Sequence, residues 1–249
     1  MRRVIITGCL LSVVLVLAAF LAIPSSPVAG SAPDFDAARD FSATANPAGT
    51  WSYGWSSSRA ASFNLDTAGW HGSSGLDAWA PSIDGLPVVA HNGTSGTITS
   101  ACCNPLPAGQ LLLHPSNAGG NAVIRWTAPA GGTYEIRATF RGIDYTSTDV
   151  AILQGTLELF SGLVNGRGAE QSFAGTRTLA SGETVDFKVG FGNGNYYSDS
   201  TSLDATITSQ APTAVTLAGF GAASGVVGGW PLAVVLGIAA ALGGVALRR

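Results

Sequence analysis

The stretch "TYEIRATF", Thr133 to Phe140, sets the fold class of this chain. Its apolar members Tyr134, Ile136, Ala138 and Phe140 fall at every second position, with Glu135, Arg137 and Thr139 between them. A strand turns successive side chains to opposite faces, so this spacing makes one oily face and one wet face. A helix would scatter the same residues around its surface. "ETVDFKVGF", Glu183 to Phe191, repeats the pattern, with Val185, Phe187, Val189 and Phe191 on the inner face and Asp186 and Lys188 looking outward. Just before Thr133, in "TAPAGG", Pro129 closes one strand, and Gly131-Gly132 are expected to supply the positive φ angles that send the next one back.

Outward from these two segments the chain reads as strands parted by turn residues. "GTWSYGWSS", "LPVVAHN", "GQLLLHP", "NAVIRWTAP", "DVAILQGTLELFSG", "EQSFAGTRTLA" and "LDATITSQ" complete the set, and "FDAARDF" offers one short helical turn. Strands with a single apolar face cannot be stable as one open layer, so two sheets must pack together. The expected fold is all-β, a jelly-roll-like antiparallel β-sandwich over 31–208. In "NPAGTWSYGW" Trp51, Tyr53 and Trp55 share one strand face, in a chain that is 8% aromatic. Burying so much ring surface is among the largest stabilisations open to the domain, so these rings are expected in the core, with Ser52, Gly54 and Ser56 facing solvent. Trp79 and Trp126 are expected in packing as well.

The ends differ from the middle. Residues 1–30 carry two arginines, an apolar run from Val4 to Ile23 and a small-residue close, the layout of a signal peptide. Residues 209–229 read as a flexible tether. Residues 230–249 read as a transmembrane helix ending on Arg248 and Arg249, which keeps the middle of the chain outside the cytoplasm. With Arg2, Arg3, Arg248 and Arg249 at the ends, the exported part keeps eight basic residues against fifteen acidic ones, a formal charge of −7. Such a body repels phosphate backbones, so nucleic acid is not an expected partner.

Several ordered segments resemble a known exported domain. "DFSATANPAGTWSYGW", "GQLLLHPSNAGGNAVIRWTAPAGGTYEIRATFRGID", "TDVAILQG", "LFSGLVNG", "LASGETVDFKVG" and "DSTSLDATIT" are similar to a β-rich domain of bacterial surface proteins that carry PEP-CTERM-type sorting signals. The similarity runs from about Asp40 to Thr208. It implies a sandwich of the galactose-binding-like or carbohydrate-binding form, a place at the cell surface, and an exosortase, a sortase-type processing enzyme, as partner. "QAPTAVTL" stands where a Pro-Glu-Pro motif belongs, so the C-terminal helix is expected to remain as a membrane tether.

The residues able to carry chemistry are few. No zinc-protease helix, nucleophile elbow or phosphate-binding glycine loop occurs, and His71, His91 and His114 stand apart. Asp144, Asp149, Glu158, Asp199 and Asp204 are available as acids, yet nothing in their spacing selects a catalytic pair. The chain is therefore read as a non-enzyme. Cys102 and Cys103 are adjacent, with Cα atoms about 3.8 Å apart against the usual disulfide range of about 4.4–6.8 Å. A strained ring between them, two buried thiols, and cross-links to another chain remain open.

"FGNGNYYSDSTSLD", Phe191 to Asp204, is the most suggestive loop. Asn193, Asp199 and Asp204, with Asp144 and Asp149 from the neighbouring "RGIDYTSTDV", offer oxygen ligands to calcium, the one candidate cofactor. The competing reading is that asparagine and aspartate stand there to bond their own turn backbone. Tyr196 and Tyr197, with Asn195 beside them, form a candidate platform on which sugar faces stack. The expected function is non-catalytic binding of carbohydrate in the envelope or extracellular matrix. The alternative is a structural matrix or adhesion protein that binds other protein chains.

Overall fold

The computed structural model describes residues 34–72, 74–83, 85–99 and 104–210. The signal peptide, nearly all of the tether, the C-terminal helix and Cys102 and Cys103 lie outside the described residues. Among the described residues, no helix is long and apolar enough to cross a membrane.

One sheet holds β1 (Phe35–Asp36), β4 (Ala68–His71), β5 (Leu76–Ala80), β6 (Val88–Asn92), β9 (Leu111–His114), β11 (Gly132–Gly142), β14 (Glu170–Leu179) and β16 (Thr201–Gln210). Its order is β14-β11-β16-β9-β6-β5-β4, with β1 also pairing β16. The second sheet runs β13-β12-β15-β10-β2-β3. Its members are β2 (Trp51–Ser56), β3 (Asn64–Leu65), β10 (Asn121–Thr127), β12 (Ser147–Gln154), β13 (Leu157–Asn165) and β15 (Thr184–Gly190). β7 (Ile98–Thr99) and β8 (Pro105–Leu106) form a small hairpin of their own. All these pairings are antiparallel.

The alternation in "TYEIRATF" holds: Tyr134, Ile136, Ala138 and Phe140 are buried. Across the sandwich, Tyr53 stands opposite Ile124, Ile124 opposite Phe187 and Phe187 opposite Ile152, so one continuous apolar row crosses four strands. Trp51 and Trp126 are paired in the next row, and all six side chains are 0–1% exposed. Trp79 is buried in the same core and its indole Nε1 donates to Ser42 O at 2.7 Å. Trp55, expected in the core with Trp51 and Tyr53, is instead half-buried at the end of β2 and lines a shallow cavity of about 230 Å³ with Pro87 and Ala118.

"FDAARDF" opens on the two-residue strand β1 and does make the one short helical turn expected, closed by Asp40 N donating to Asp36 O at 2.9 Å. Three further expectations need correction. The segment from Asp149 to Gly162 is two strands, because Gly155 takes φ +57° and turns β12 into β13. β10 and β11 belong to different sheets, so the chain crosses the sandwich at 128–131, and neither Gly131 nor Gly132 has a positive φ. Finally, Ser52, Ser56, Asp186 and Lys188 do point away from the core, yet they are 8% exposed or less.

A strap, residues 57–63, covers that second face. Lys188 Nζ donates to Ser56 Oγ at 3.3 Å, Arg59 O at 3.0 Å and Ala61 O at 3.1 Å, so one ammonium satisfies three oxygens of the strap and its root. Burial pushes the Lys188 pKa down, and the nearby Asp186 carboxylate opposes that shift. Arg125 holds Asp186 through two bonds of 2.6 and 2.9 Å and lies 4.3 Å from the centre of the Phe63 ring. The fit is tight at Gly54, where a Cβ would come 2.1 Å from Asn64 O. Lys188→Met keeps the stem but deserts the buried Ser56 hydroxyl and two half-buried strap carbonyls, so urea unfolding is expected to show a loss of about 2–3 kcal/mol. Unchanged stability would mean that the strap does not depend on the ammonium.

Candidate functional site

The eight-stranded sheet has a second apolar face. Along β5, β6 and β9, Trp79, Val89, Leu111 and Leu113 point into the shared core, so Ala78, Ala90 and Leu112 point out. The register sets them in a row: Trp70 stands opposite Ala78, Ala78 opposite Ala90, and Ala90 opposite Leu112. Part of this outer face is covered by the β7–β8 hairpin, where Leu106 is fully buried and Ile98 packs against the same cluster.

The rest is open as a groove of about 520 Å³. Ala78, Ala90 and Leu112 lie beneath it, at most 6% exposed, with Leu76 and Val88 flanking them and Trp70 forming one wall. Gly85 and Leu86 come from the turn before β6, and Tyr196, Tyr197, Ser198 and Ser200 from the segment before β16. Asp144 and His114 contribute a carboxyl and an imidazole. Two alanines between a tryptophan and a leucine make the depression, since larger side chains there would fill it.

The aromatic rim is pre-set. Tyr196 and Tyr197 rings lie 4.5 Å apart at 32°, and Tyr196 meets the His114 ring edge-on at 6.1 Å. Tyr197 is 70% exposed, so its ring is offered to solvent at no cost in core packing. The loop is shaped by its own side chains: Asn195 N donates to Asn193 Oδ1 at 2.8 Å, and Tyr197 N donates to Asn195 Oδ1 at 3.0 Å. Ser198 sits in the left-handed region at φ +61°, a conformation costing on the order of 1–2 kcal/mol that its surroundings must hold. The holder is Asp199, fully buried, whose Oδ1 accepts Ser147 N at 2.8 Å and the hydroxyls of Thr146 and Ser147 at 3.3 Å. Burial raises the Asp199 pKa, against these hydrogen bonds and the nearby His114.

His114 Nδ1 lies 2.8 Å from Pro115 O, which only accepts, so Nδ1 carries the proton. Burial lowers the His114 pKa, against Pro115 O, Asp199 and Asp144, and favours the neutral ring. Nε2 is then an acceptor. Asp144 Oδ1 accepts Tyr145 N at 2.7 Å and stands 3.8 Å from the Arg167 guanidinium.

Of the residues singled out in the sequence, Tyr196, Tyr197 and Asp144 line the groove, and Asp199 supports it from behind. Asn193 and Asn195 stiffen the loop as turn residues. The proposed calcium ligands are not gathered. Asp149 is held at 2.8 Å by Arg59 and takes Gly192 N at 2.9 Å, while Asp204 is exposed on β16 beside the charges of Asp36, Arg141 and Glu170. Among the described residues, no three of His, Cys, Asp and Glu stand close enough to hold a metal ion. The physical reason is that sequence neighbours on "RGIDYTSTDV" and "SDSTSLD" enter different sheets and faces. Trp70 escaped sequence reading, because "TAGWHGSS" carries little alternation. An isolated tryptophan among small polar residues was the only signal.

No protein-family model matches the sequence, and no curated protein matches it. Solved structures similar to it include a CBM51 from Clostridium perfringens GH95 in complex with methyl-galactose (15% identity, 58% of this chain, 94% of that chain, TM-score 0.33). A family 35 carbohydrate binding module from Clostridium thermocellum has 12% identity over 40% of this chain and 78% of its own, with a TM-score of 0.29. The carbohydrate binding module CBM6cm-2 from Cellvibrio mixtus lichenase 5A, in complex with cellotriose, has 14% identity over 49% and 92%, with a TM-score of 0.28.

Proposed function

We propose that this chain is a non-catalytic carbohydrate-binding protein of the cell envelope or extracellular matrix, exported by its N-terminal segment and held at the membrane by its C-terminal one. The binding domain is a jelly-roll-like sandwich, and the observation that carries the reading is the groove on its outer face. A pyranose ring has an apolar C–H face and a polar edge. Trp70, Tyr196 and Tyr197 offer the rings for the former. His114 Nε2, the Asp144 carboxylate and the hydroxyls of Ser198 and Ser200 offer acceptors and donors for the latter. The formal charge of −7 on the exported part favours a neutral glycan over one built of uronic acids.

The test is a glycan array followed by titration of the full chain and of Trp70→Ala. Trp70 is only half-buried on the outer face, so the variant is expected to keep its melting temperature and to bind about 10–100-fold more weakly. An array on which no neutral glycan binds would remove the reading.

One observation favours the alternative of a matrix or adhesion protein. Edge strand β13 exposes Leu157 at 61% and Leu163 at 51%, beside backbone groups that no strand among the described residues pairs on their outer side. Self-association measured by light scattering, with no sugar selectivity, would support it in place of the first.

A further inference from the structure

The groove and the shallow cavity at Trp55 adjoin. Leu86 lines both, and they meet along two chain segments. On the first, Val88 lines the groove and Pro87 the cavity; on the second, His114 lines the groove and Ser116 the cavity. Two residues of extended chain span at most about 7 Å, so at that wall the two linings come within about one sugar residue of each other. The cavity lies between the end of β2, the segment joining β5 to β6 and the segment joining β9 to β10. At about 230 Å³ it falls short of the roughly 300 Å³ at which small-molecule sites begin, whereas the groove of about 520 Å³ lies within their range. The cavity is therefore an extension of the groove, too small to be a site by itself.

Its chemistry suits a neutral sugar. Trp55 Nε1 is neither sealed from solvent nor hydrogen-bonded to any described residue, whereas the indoles of Trp51 and Trp79 donate to Asp40 and Ser42. No residue lining the cavity is charged. Leu86, shared by the two depressions, is 39% exposed. The indole thus offers an apolar ring for a C–H face and an open donor for a hydroxyl. We propose that groove and cavity form one binding line for a neutral glycan chain, in which Trp55 holds the sugar next to the one in the groove and Leu86 underlies the link between them. The inference rests on the carbohydrate-binding reading and makes its ligand an oligosaccharide rather than a single sugar.

The experiment is calorimetric titration of the full chain with the one- to six-residue members of four neutral series: β-1,4-glucan, β-1,3-glucan, β-1,4-mannan and α-1,4-glucan. In at least one series the affinity is expected to rise at least about 10-fold between the single sugar and the three-residue fragment, the gain from one further ring contact. Trp55→Ala is expected to lose that rise and to bind the single sugar as the parent does, whereas Trp70→Ala weakens every length alike. Ala118 is exposed in a turn, so Ala118→Ile is expected to fold; its stiff branched side chain fills the cavity and should remove the same rise. Ala118→Ile decides if Trp55→Ala does not fold. Equal affinity at every length, or a rise that survives the substitutions, would overturn the two-sugar reading and leave carbohydrate binding standing. No heat from any series, with a neutral glycan bound on the array, would do the same. Silence in both measurements would overturn both.

Discussion

Trp51→Ala is expected to lower the unfolding free energy by about 3–5 kcal/mol, read as a fall in the urea midpoint. Trp51 is 1% exposed, lies 6.3 Å from the Phe187 ring, and faces Trp126 across the β2–β10 pair. The substitution removes the indole from a close-packed row and also takes away the Nε1 donor that reaches Asp40 Oδ2 at 3.4 Å. Phe41, packed on Tyr53 at 4.6 Å, belongs to the same cluster, so the cavity cannot close without disturbing its neighbours. Because the groove lies on the other face of the opposite sheet, whatever fraction of the variant folds should bind glycan as the parent does. A variant with the parent's melting temperature and no glycan binding would show that Trp51 belongs to a binding strip rather than to the core.

Asp66→Asn is expected to stabilise the protein most at alkaline pH. Asp66 follows β3 and is 1% exposed, and neither carboxyl oxygen has a hydrogen-bond partner. Its backbone is fully engaged: Asp66 N donates to Tyr53 O at 3.0 Å and Asp66 O accepts Asn46 Nδ2 at 2.9 Å. The chain therefore fixes the residue while the carboxyl is left without water or donor. Burial pushes its pKa from the ordinary 3.8 up to about 7.

The sign follows from proton counting. Between pH 3.8 and about 7 the unfolded chain releases this proton and the folded chain keeps it, so stability falls as pH rises through that window and levels off above it. The full loss is on the order of 4 kcal/mol. His91 and His114 act in the other direction: burial lowers both pKa values, so their contribution is lost as pH falls below the ordinary 6.5. Both histidines remain in the Asp66→Asn variant and cancel in the comparison. Parent and variant unfolded in urea at pH 4.5 and pH 8 should differ far more at pH 8. An equal difference at both would mean that the Asp66 carboxyl is not held protonated.

Local pattern carried the strands a long way. "TYEIRATF" and "TVDFKVG" name their inner faces by alternation alone, and Trp51 and Tyr53 of "TWSYGW" belong inside for reasons of area, whereas Trp55 at the end of the strand does not enter the core. The same alternation led to the wrong surroundings for Ser56, Asp186 and Lys188. A period of two tells which side chains leave the core side, and nothing in it tells that residues 57–63 will lie over them. The loop tyrosines were legible because two adjacent rings among Gly, Asn and Ser have no core to enter. The floor they overlook was not legible, since Ala78, Ala90 and Leu112 are ordinary strand residues until β5, β6 and β9 are set side by side.

By itself the sequence determined an acidic body of antiparallel strands with aromatic rows at its centre, because side-chain alternation and hydrophobic burial are local properties of short segments. The tertiary structure alone decided that Trp70, two alanines, His114 and Tyr196-Tyr197 share one groove, and that Lys188 anchors a strap. These groups are brought together by the pairing of distant strands, and strand register is a property of the pair, never of one segment.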